Sequence, residues 1–292
     1  SAPLEALKAQ AVAARTYAFR NRDTFRSRGY GLKANEQSQV YGGVNLEDPR
    51  TARAVNDTRG ILVTYRGEAI EALFHAACGG VTENNEEVWA SPPAAYERAV
   101  ACPGCRRSPL PPWKARFDYP TIAKRLRAYG WNVGEITRIT TTMTSTGRIK
   151  DVMVHSSTGT ARVPGNNFRI MVDRKAIRSL RWMGQASGTA EHDEDDRSSV
   201  PSPTGSTAMG QEPEPEVEGD GSVPAADTAI RDIIGRYVAD DPGGRFLEVM
   251  GVGWGHGVGL CQRGAKLLAE TGRSYPAILR TYYTGAQLGR AY

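Results

Sequence analysis

The segment from residue 188 to residue 227 restricts the fold of this chain more than any other feature. It contains eleven acidic residues and one basic residue, Arg197, in a background of Pro, Ser and Gly. A stretch with so little apolar surface cannot offset the entropy that ordering would cost. We therefore predict a disordered insertion here, with a folded body built from residues 1–187 and 228–292.

Without this insertion the body is strongly basic. The whole chain of 292 residues carries a formal net charge of +5, from 37 basic and 32 acidic residues. Outside the insertion 36 basic and 21 acidic residues remain, which gives +15. This charge suits nucleic acid or a carboxylate-rich bacterial wall, and is equally compatible with a merely solvated surface. Since no nucleic-acid recognition motif accompanies it, we predict no nucleic-acid partner.

The first segment predicts a long helix. Residues 5–20 are rich in Ala and contain no helix breaker. Glu5 and Arg15 fall on one face, where their charges could point into a cleft. No apolar run in the chain is long enough to be a transmembrane segment. A neighbouring set of residues has the 3–4 spacing of a buried stripe: Leu4, Leu7, Ala11, Ala14 and Ala18.

Strand patterns follow, and they predict an α+β fold. Residues 61–65 and 69–75 are rich in Val, Ile and aromatic residues and read as a hairpin. Residues 136–163 alternate with period two around two Gly turns, which is typical of an antiparallel sheet. A further strand is predicted at 246–250, with helices at 260–270 and 276–282. The expected architecture is antiparallel hairpins and a small sheet packed with helices.

The densest group of functional candidates runs from Gly251 to Ala265. Five glycines in nine residues surround His256, and such a backbone can approach another object closely. The motif lacks the Lys-Ser/Thr and the strand–helix context of a phosphate-binding loop, so we do not interpret it as a nucleotide site. A single His in a Gly-rich turn is more often structural than functional, and both interpretations stay open.

A second group extends from His75 to Trp89. It combines a His, three carboxylates, two amides, a Gly-Gly turn and an aromatic residue. Carbohydrate sites use carboxylates for proton transfer, amides for hydroxyl groups and an aromatic face for the sugar ring. The alternative is a polar helix start, with Thr82 as its cap and glutamates near the positive helix end.

The cysteines offer a possible metal site. Cys102-Pro-Gly-Cys105 is a Cys-x-x-Cys pair within an irregular stretch, residues 102–120, that is rich in Pro and Arg. Together with Cys78 and His75 it could form a zinc site of three cysteines and one histidine. In an oxidising compartment a disulfide is the competing interpretation.

Several parts of the sequence resemble the SpoIID/LytB family (stage II sporulation protein D). The resemblance begins in Pro-Leu-Glu-Ala-Leu-Lys-Ala-Gln-Ala at residues 3–11 and ends in Trp-Gly-His-Gly and the following helices. It implies that residues 1–187 and 228–292 form one domain of that family. The matching stretches occur in order, and they are residues 3–17, 39–41, 55–60, 75–89, 163–169, 254–265 and 278–285.

The resemblance implies a protein directed at peptidoglycan, outside the cytoplasm. Sporulation members of the family are lytic transglycosylases, which cut between N-acetylmuramic acid (MurNAc) and N-acetylglucosamine in strands stripped of stem peptides. Other relatives enhance a cell-wall amidase and need not cleave anything themselves. We expect a transglycosylase, with the amidase enhancer as the alternative. No cofactor is required, apart from the possible structural zinc.

The resemblance also suggests roles for individual residues. The catalytic candidates are Glu5, Arg15, His75 and His256, of which Arg15 would orient the acid or a sugar carboxylate. The candidates for binding hydroxyl and acetamide groups are Gln39, Tyr41, Gly80, Thr82, Glu83, Gly255 and Gln262.

One family residue has no counterpart in this sequence. The principal acid of the family is a Glu a few residues before the Pro-Leu-Glu-Ala-Leu helix, and that position would precede Ser1. Glu5 matches a different family position. Cys261 and Arg263 also depart from the family, because Ser and an aromatic residue are common there. We therefore expect the acid to lie just upstream of this chain.

Overall fold

The computed structural model describes residues 2–34, 42, 47–183 and 245–291. The predicted insertion, Gln39 and Tyr41 lie outside the described residues. Within them, helices combine with small, mostly antiparallel sheets, which confirms the α+β prediction. No helix in the described part of the chain is long and apolar enough to cross a membrane.

The elements have the following bounds. The helices are α1 (Leu4–Arg20), α2 (Pro49–Asp57), α3 (Asn85–Val88), α4 (Pro103–Arg107), α5 (Tyr119–Ala128), α6 (Gly165–Asp173), α7 (Gln262–Glu270) and α8 (Tyr275–Tyr282). The strands are β1 (Ile61–Tyr65), β2 (Glu68–Ala69), β3 (Phe74–His75), β4 (Trp113–Asp118), β5 (Ile136–Met143), β6 (Ile149–Ser156), β7 (Gly159–Pro164), β8 (Phe246–Gly251), β9 (Leu260–Cys261) and β10 (Gln287–Arg290).

Helix α1 is formed as predicted, but it buries a different face. The predicted stripe is wrong, because the buried residues are Ala6, Ala9, Val12, Ala13 and Thr16. Ala is present on every side of this helix, so its hydrophobic pattern does not choose a face. The packing partners do: α2, α7, α8 and β1 surround the helix. The Thr16 hydroxyl accepts a hydrogen bond of 2.9 Å from the Val63 N–H and so ties α1 to β1.

The predicted hairpin is correct only in its first half. Strand β1 pairs with β2, but the chain then leaves this sheet. Phe74 and His75 form β3, which pairs in parallel with Leu260 and Cys261 of β9. This pairing brings the His75 motif directly against the end of the Gly-rich motif.

A strand occupies part of the stretch that was expected to be irregular. Strand β4 pairs antiparallel with β8, from Trp113 opposite Gly251 to Asp118 opposite Phe246. The Trp113 ring fills the space that a Cβ at residue 251 would need. The Gly-rich motif therefore leaves this ladder at a position where only Gly fits.

Two hydrophobic cores hold the described residues together. One core packs the predicted three-stranded sheet β5–β6–β7, which is confirmed, against α5, α6 and the β4–β8 ladder. The other packs α1, α7 and α8 around β1 and the four cysteines. The Gly-rich motif joins the two, since β8 belongs to the first core and β9 to the second.

Candidate functional site

The two histidines singled out by sequence lie side by side. The ring centroids of His75 and His256 are 5.6 Å apart. The carbonyl of Val258 lies 3.0 Å from His75 Nδ1, and the carbonyl of Phe74 lies 3.0 Å from His256 Nε2. A carbonyl can only accept, so each of these ring nitrogens carries the proton. The N–H of Val258 donates to His256 Nδ1 at 3.1 Å, which fixes the neutral tautomer of that ring.

Both rings are held in the neutral form. Burial lowers the pKa of His256 to about 4, and the nearby guanidinium groups of Arg169 and Arg148 act in the same direction. Burial also lowers the pKa of His75 well below its ordinary value, and the nearby His256 and Arg148 lower this pKa further. At neutral pH neither ring is a protonated acid, and their hydrogen bonds are made to the backbone.

The glycines of the motif serve close packing within the protein. Gly255 has a φ of +104°, and a Cβ there would lie 2.9 Å from the Cβ of His75. Gly259 has a φ of +71°, and a Cβ there would collide with the carbonyl of Leu73. Gly255 was predicted to contact substrate, and in this structure the Cβ of His75 lies where a side chain at residue 255 would begin.

The exposed part of the motif is Trp254. Its side chain is 49% exposed, and the guanidinium of Arg178 lies 5.0 Å from the ring centroid. The backbone of Trp254 exchanges two hydrogen bonds with Ala77, of 2.7 and 3.0 Å, and the Gly255 N–H donates to the Arg178 carbonyl at 2.8 Å. We call Trp254 and Arg178 the Trp254 face. Sequence reasoning missed both as site residues, because no local pattern places Arg178 beside the motif.

The start of α7 meets α1 at a pair of amides. Gln262 Nε2 donates to Gln10 Oε1 at 3.3 Å, and Gln262 is exposed. The predicted binding residue Gln262 is thus at the surface, beside a second amide that sequence reasoning did not single out.

The predicted catalytic residues Glu5 and Arg15 both contact neighbouring elements of the fold. Glu5 Oε2 accepts the N–H of Tyr275 at 2.8 Å and so caps α8, while Oε1 lies 3.2 Å from the amine of Lys8. The guanidinium of Arg15 donates to four oxygen atoms at the end of α2 and the start of β1. These are the carbonyls of Val55, Thr58 and Ile61 and the hydroxyl of Thr58, at 2.6–3.3 Å.

The predicted sugar-binding residues Gly80, Thr82 and Glu83 lie in the loop that follows β3. All three are buried. Glu83 Oε1 accepts the Asn84 N–H at 2.9 Å, and Oε2 accepts the hydroxyls of Thr144, at 2.7 Å, and of Thr146. The Thr82 hydroxyl accepts the Val100 N–H at 2.8 Å. These groups hold the loop after β3 in place, and their polar atoms face the protein.

Comparison with known proteins agrees with the motifs. Residues 1–65 match the SpoIID family model, described as Stage II sporulation protein. Over 98% of its length, the chain is 29% identical to the amidase enhancer of Bacillus subtilis and 26% identical to Stage II sporulation protein D of Bacillus amyloliquefaciens. It is also 26% identical, over 98% of its length, to an uncharacterized protein of Brachyspira hyodysenteriae. These comparisons support the resemblance to the SpoIID family that the motifs indicate.

The chain spans only part of the length of the proteins that it resembles. It spans 61% of the Brachyspira protein, 38% of the amidase enhancer and 69% of Stage II sporulation protein D.

The four cysteines form a cluster that differs from the predicted set. Cys78, Cys102, Cys105 and Cys261 have sulfur atoms that all lie within 4.8 Å of one another. All four are buried, and none is in a disulfide. His75 was predicted as a ligand, whereas the sulfur atom that lies with those of the three predicted cysteines belongs to Cys261. This position could not be read from sequence spacing, because Cys261 is 156 residues from Cys105.

One surface cavity lies elsewhere and is lined by none of the candidate-site residues described above. It has a volume of about 490 Å³ and is lined by Arg116, Asp118, Arg245 and Phe246. These residues lie at or next to the opposite end of the β4–β8 ladder from Gly251. Six extended residues separate the two ends by roughly 17–20 Å. We therefore place the candidate site at the Trp254 face, on the basis of its residues.

Proposed function

We propose that this chain binds peptidoglycan glycan strands at the Trp254 face. The observation that carries the proposal is a half-exposed indole, rigidly held, with a guanidinium over its ring. Sugar rings present apolar C–H faces that stack on exposed aromatic rings, while polar groups beside the ring fix the orientation. The backbone N–H and C=O of Trp254 both form hydrogen bonds with Ala77. The indole is therefore already positioned, and binding a sugar costs little further conformational entropy.

Arg178 suggests which strands are bound. MurNAc carries a lactyl group, which is a free carboxylate in strands without stem peptides and a neutral amide in strands that bear them. An exposed guanidinium pairs with a free carboxylate through charge-assisted hydrogen bonds. The net charge of +15 outside the acidic segment favours the same anionic polymer. We therefore expect peptide-free strands to bind more tightly.

In the full-length protein we propose lytic transglycosylase activity. A carboxylic acid would protonate the oxygen between MurNAc and N-acetylglucosamine as that bond breaks. The resulting carboxylate would then take the proton of the MurNAc C6 hydroxyl, whose oxygen bonds to C1 and closes a 1,6-anhydro ring. No water attacks the sugar and no second carboxylate is required, unlike in ordinary glycosidases. We propose that the acid is the glutamate that the family carries before the α1 helix.

The second candidate is a glycan-binding enhancer of a cell-wall amidase. It is favoured by the contacts of Glu5 and Arg15, whose side chains accept from the first residue of α8 and donate to the end of α2. It is also favoured by the 29% identity to a protein named amidase enhancer. Such a protein would use the same Trp254 face without cleaving the strand. In either case the substrate lies outside the cytoplasm, and we propose that the protein does too.

The test uses the protein extended by its native upstream residues. It is incubated with peptide-free glycan strands, which mass spectrometry then examines for shorter chains with 1,6-anhydro-MurNAc ends. We expect such ends to form and Trp254→Ala to reduce both strand retention and cleavage by at least about tenfold, as for the loss of a central aromatic contact. The matched control is Tyr129→Ala, whose side chain is 62% exposed next to α5 and should leave both unchanged.

The outcomes separate the candidates. Intact strands that still bind the protein, together with faster peptide release when a cell-wall amidase is added, would indicate the enhancer. Unchanged strand binding by Trp254→Ala would exclude the Trp254 face as the glycan site.

A further inference from the structure

We infer that Cys78, Cys102, Cys105 and Cys261 bind one zinc ion in a structural four-cysteine site. The site lies behind the two histidines and fixes their motifs to each other. It is independent of the proposed activity, because none of its ligands faces the Trp254 surface.

The geometry of the sulfur atoms fits a tetrahedral ion. The four atoms lie within 4.8 Å of one another, and Cys105 and Cys261 are 3.5 Å apart. With zinc–sulfur bonds of about 2.3 Å, a regular tetrahedron requires about 3.8 Å between sulfur atoms. A disulfide requires about 2.05 Å. The cluster therefore needs only small adjustments to hold zinc, whereas any disulfide would pull two members out of it.

Hydrogen bonds to the sulfur atoms suit thiolates. The N–H groups of Cys78 and Gly264 both donate to Cys261 Sγ at 3.3 Å. The Gly80 N–H donates to Cys78 Sγ, also at 3.3 Å. Tyr282 Oη lies 3.1 Å from Cys102 Sγ. Donors of this kind around a first shell of ligands orient them and stabilise their negative charge.

A buried cation beside the cluster is a second, independent observation. Arg148 is 1% exposed, and its Nη2 donates to the carbonyls of Cys78, at 2.5 Å, and Val81, at 2.9 Å. Its Nε and Nη1 have no hydrogen-bond partner among the described residues. A buried charge without compensation is costly. A zinc ion with four thiolates carries a net charge of −2, which would offset this guanidinium, alongside the carboxylate of Glu83.

The ligands come from three segments that the fold must hold together. Cys78 follows the His75 strand, Cys102 directly precedes α4 and Cys105 lies within it, and Cys261 ends β9 and caps α7. Gly264 lets α7 pack closely against Cys102 and Tyr282, because a Cβ at this position would collide with Cys102 Sγ and Tyr282 Oη. One ion thus cross-links the strand that carries His75 to the loop that carries His256.

The binding step balances without any co-reactant. One Zn²⁺ replaces the protons of four thiols, forms four Zn–S bonds and releases four protons to the buffer. No oxidant or reductant is consumed.

The test starts with the wild-type chain purified under reducing conditions. Elemental analysis should find one zinc per chain, and X-ray absorption should show four sulfur neighbours at about 2.3 Å. Cys261→Ser should lose at least about tenfold in zinc affinity, and metal removal should lower the melting temperature by about 10 °C or more. His75→Ala is the matched control and should retain one zinc.

Two results would overturn the assignment. Less than about a tenth of a zinc per chain after purification with added zinc, or a mass two or four daltons low from disulfides, would exclude the metal site. Three sulfur neighbours and one nitrogen in the wild-type spectrum would exclude the all-cysteine ligand set. Both readings come from the unmodified chain, so they hold even where a variant fails to fold.

Discussion

His75 and His256 are fixed by the same residue. The Val258 carbonyl accepts a hydrogen bond from His75 Nδ1, and the Val258 N–H donates to His256 Nδ1. The strand that carries the first His is thereby locked to the loop that carries the second. Because both rings are neutral and bonded to the backbone, their role in this corner of the fold is positional. The loop in turn places Trp254 at the surface, two residues before His256.

The neutral state of His256 predicts how stability depends on pH. Its folded pKa is about 4, whereas an unfolded His titrates near 6.5. Below pH 6.5 the His256 ring binds a proton in the unfolded chain but not in the folded chain. The free energy of unfolding therefore falls as the pH drops from 6.5 to 4. At pH 5 this difference is on the order of 2 kcal/mol. The titratable and charged groups facing the ring are His75, Arg148 and Arg169.

Replacing this ring by Gln tests the point. At pH 7.5, His256→Gln should unfold more easily than wild type by about 1–2 kcal/mol, because backbone partners lose their hydrogen bonds. At pH 5 this difference in the free energy of unfolding should be smaller by about 2 kcal/mol. Wild type loses that stability because its unfolded chain binds a proton at His256, whereas Gln has no proton to gain. Urea denaturation at both pH values measures this. His155→Gln, a partly exposed His on β6, should show a smaller change, and a pH-independent gap for His256→Gln would contradict the assignment.

Glu97 should show the opposite pH dependence. It is 3% exposed, and burial raises its pKa to about 8, with Glu71 and Glu86 raising it further and the Leu73 backbone and Arg98 lowering it. Between pH 4.5 and 8 the folded chain keeps a proton that the unfolded chain has released. Stability contributed by this group is therefore lost as the pH rises through that window.

The matching variant is Glu97→Gln. We expect its free energy of unfolding to equal that of wild type near pH 5. At pH 9 it should exceed the wild-type value by a few kcal/mol, on the order of the full linkage energy. Thermal melts at pH 5, 7 and 9 measure the difference. Glu68→Gln provides the control, because that carboxylate is 81% exposed and should have no effect. A variant less stable than wild type at every pH would show that the ionised carboxylate is needed in the fold.

Local patterns in the sequence predicted much of the fold. Helix α1, the sheet β5–β7, strand β8 and helix α7 each depend on periodicity within one short segment. The pairing of β3 with β9 could not be predicted, because it joins residues more than 180 positions apart. The face of α1 was predicted wrongly for a related reason. Alanines on all sides leave the choice to distant partners.

The candidate site was predicted in composition more than in role. The motifs identified both histidines and all four cysteines, since these residue types are rare in the chain. Polarity alone does not reveal whether a side chain binds substrate or protein. Glu83 and Arg15 were therefore assigned to substrate, although their partners are Thr144 and the end of α2.

Arg15 distinguishes these two roles experimentally. Arg15→Ala removes the donors to the Val55, Thr58 and Ile61 carbonyls, and should lower the free energy of unfolding by about 2–3 kcal/mol. Arg20→Ala, further along the same helix and half-exposed, should cost less than about 0.5 kcal/mol. Urea denaturation measures both. If Arg15→Ala kept the stability of wild type but lost strand cleavage, the result would support the predicted catalytic role of Arg15.

Arg178 should decide between peptide-free and peptide-bearing strands. Arg178→Gln removes the cation above Trp254 but keeps a polar side chain, and the backbone bond from Gly255 to residue 178 does not depend on the side chain. We expect strands with free lactyl carboxylates to bind about 5–20-fold more weakly, as for one charged hydrogen bond. Strands with amide-linked peptides should bind as they do to wild type.

Binding is measured by co-sedimentation with both strand types at two salt concentrations, because an exposed ion pair weakens with ionic strength. Lys175→Gln, an exposed cation three residues earlier, is the control and should leave the preference intact. An equal loss on both strand types would mean that Arg178 only supports the Trp254 ring and does not read the carboxylate.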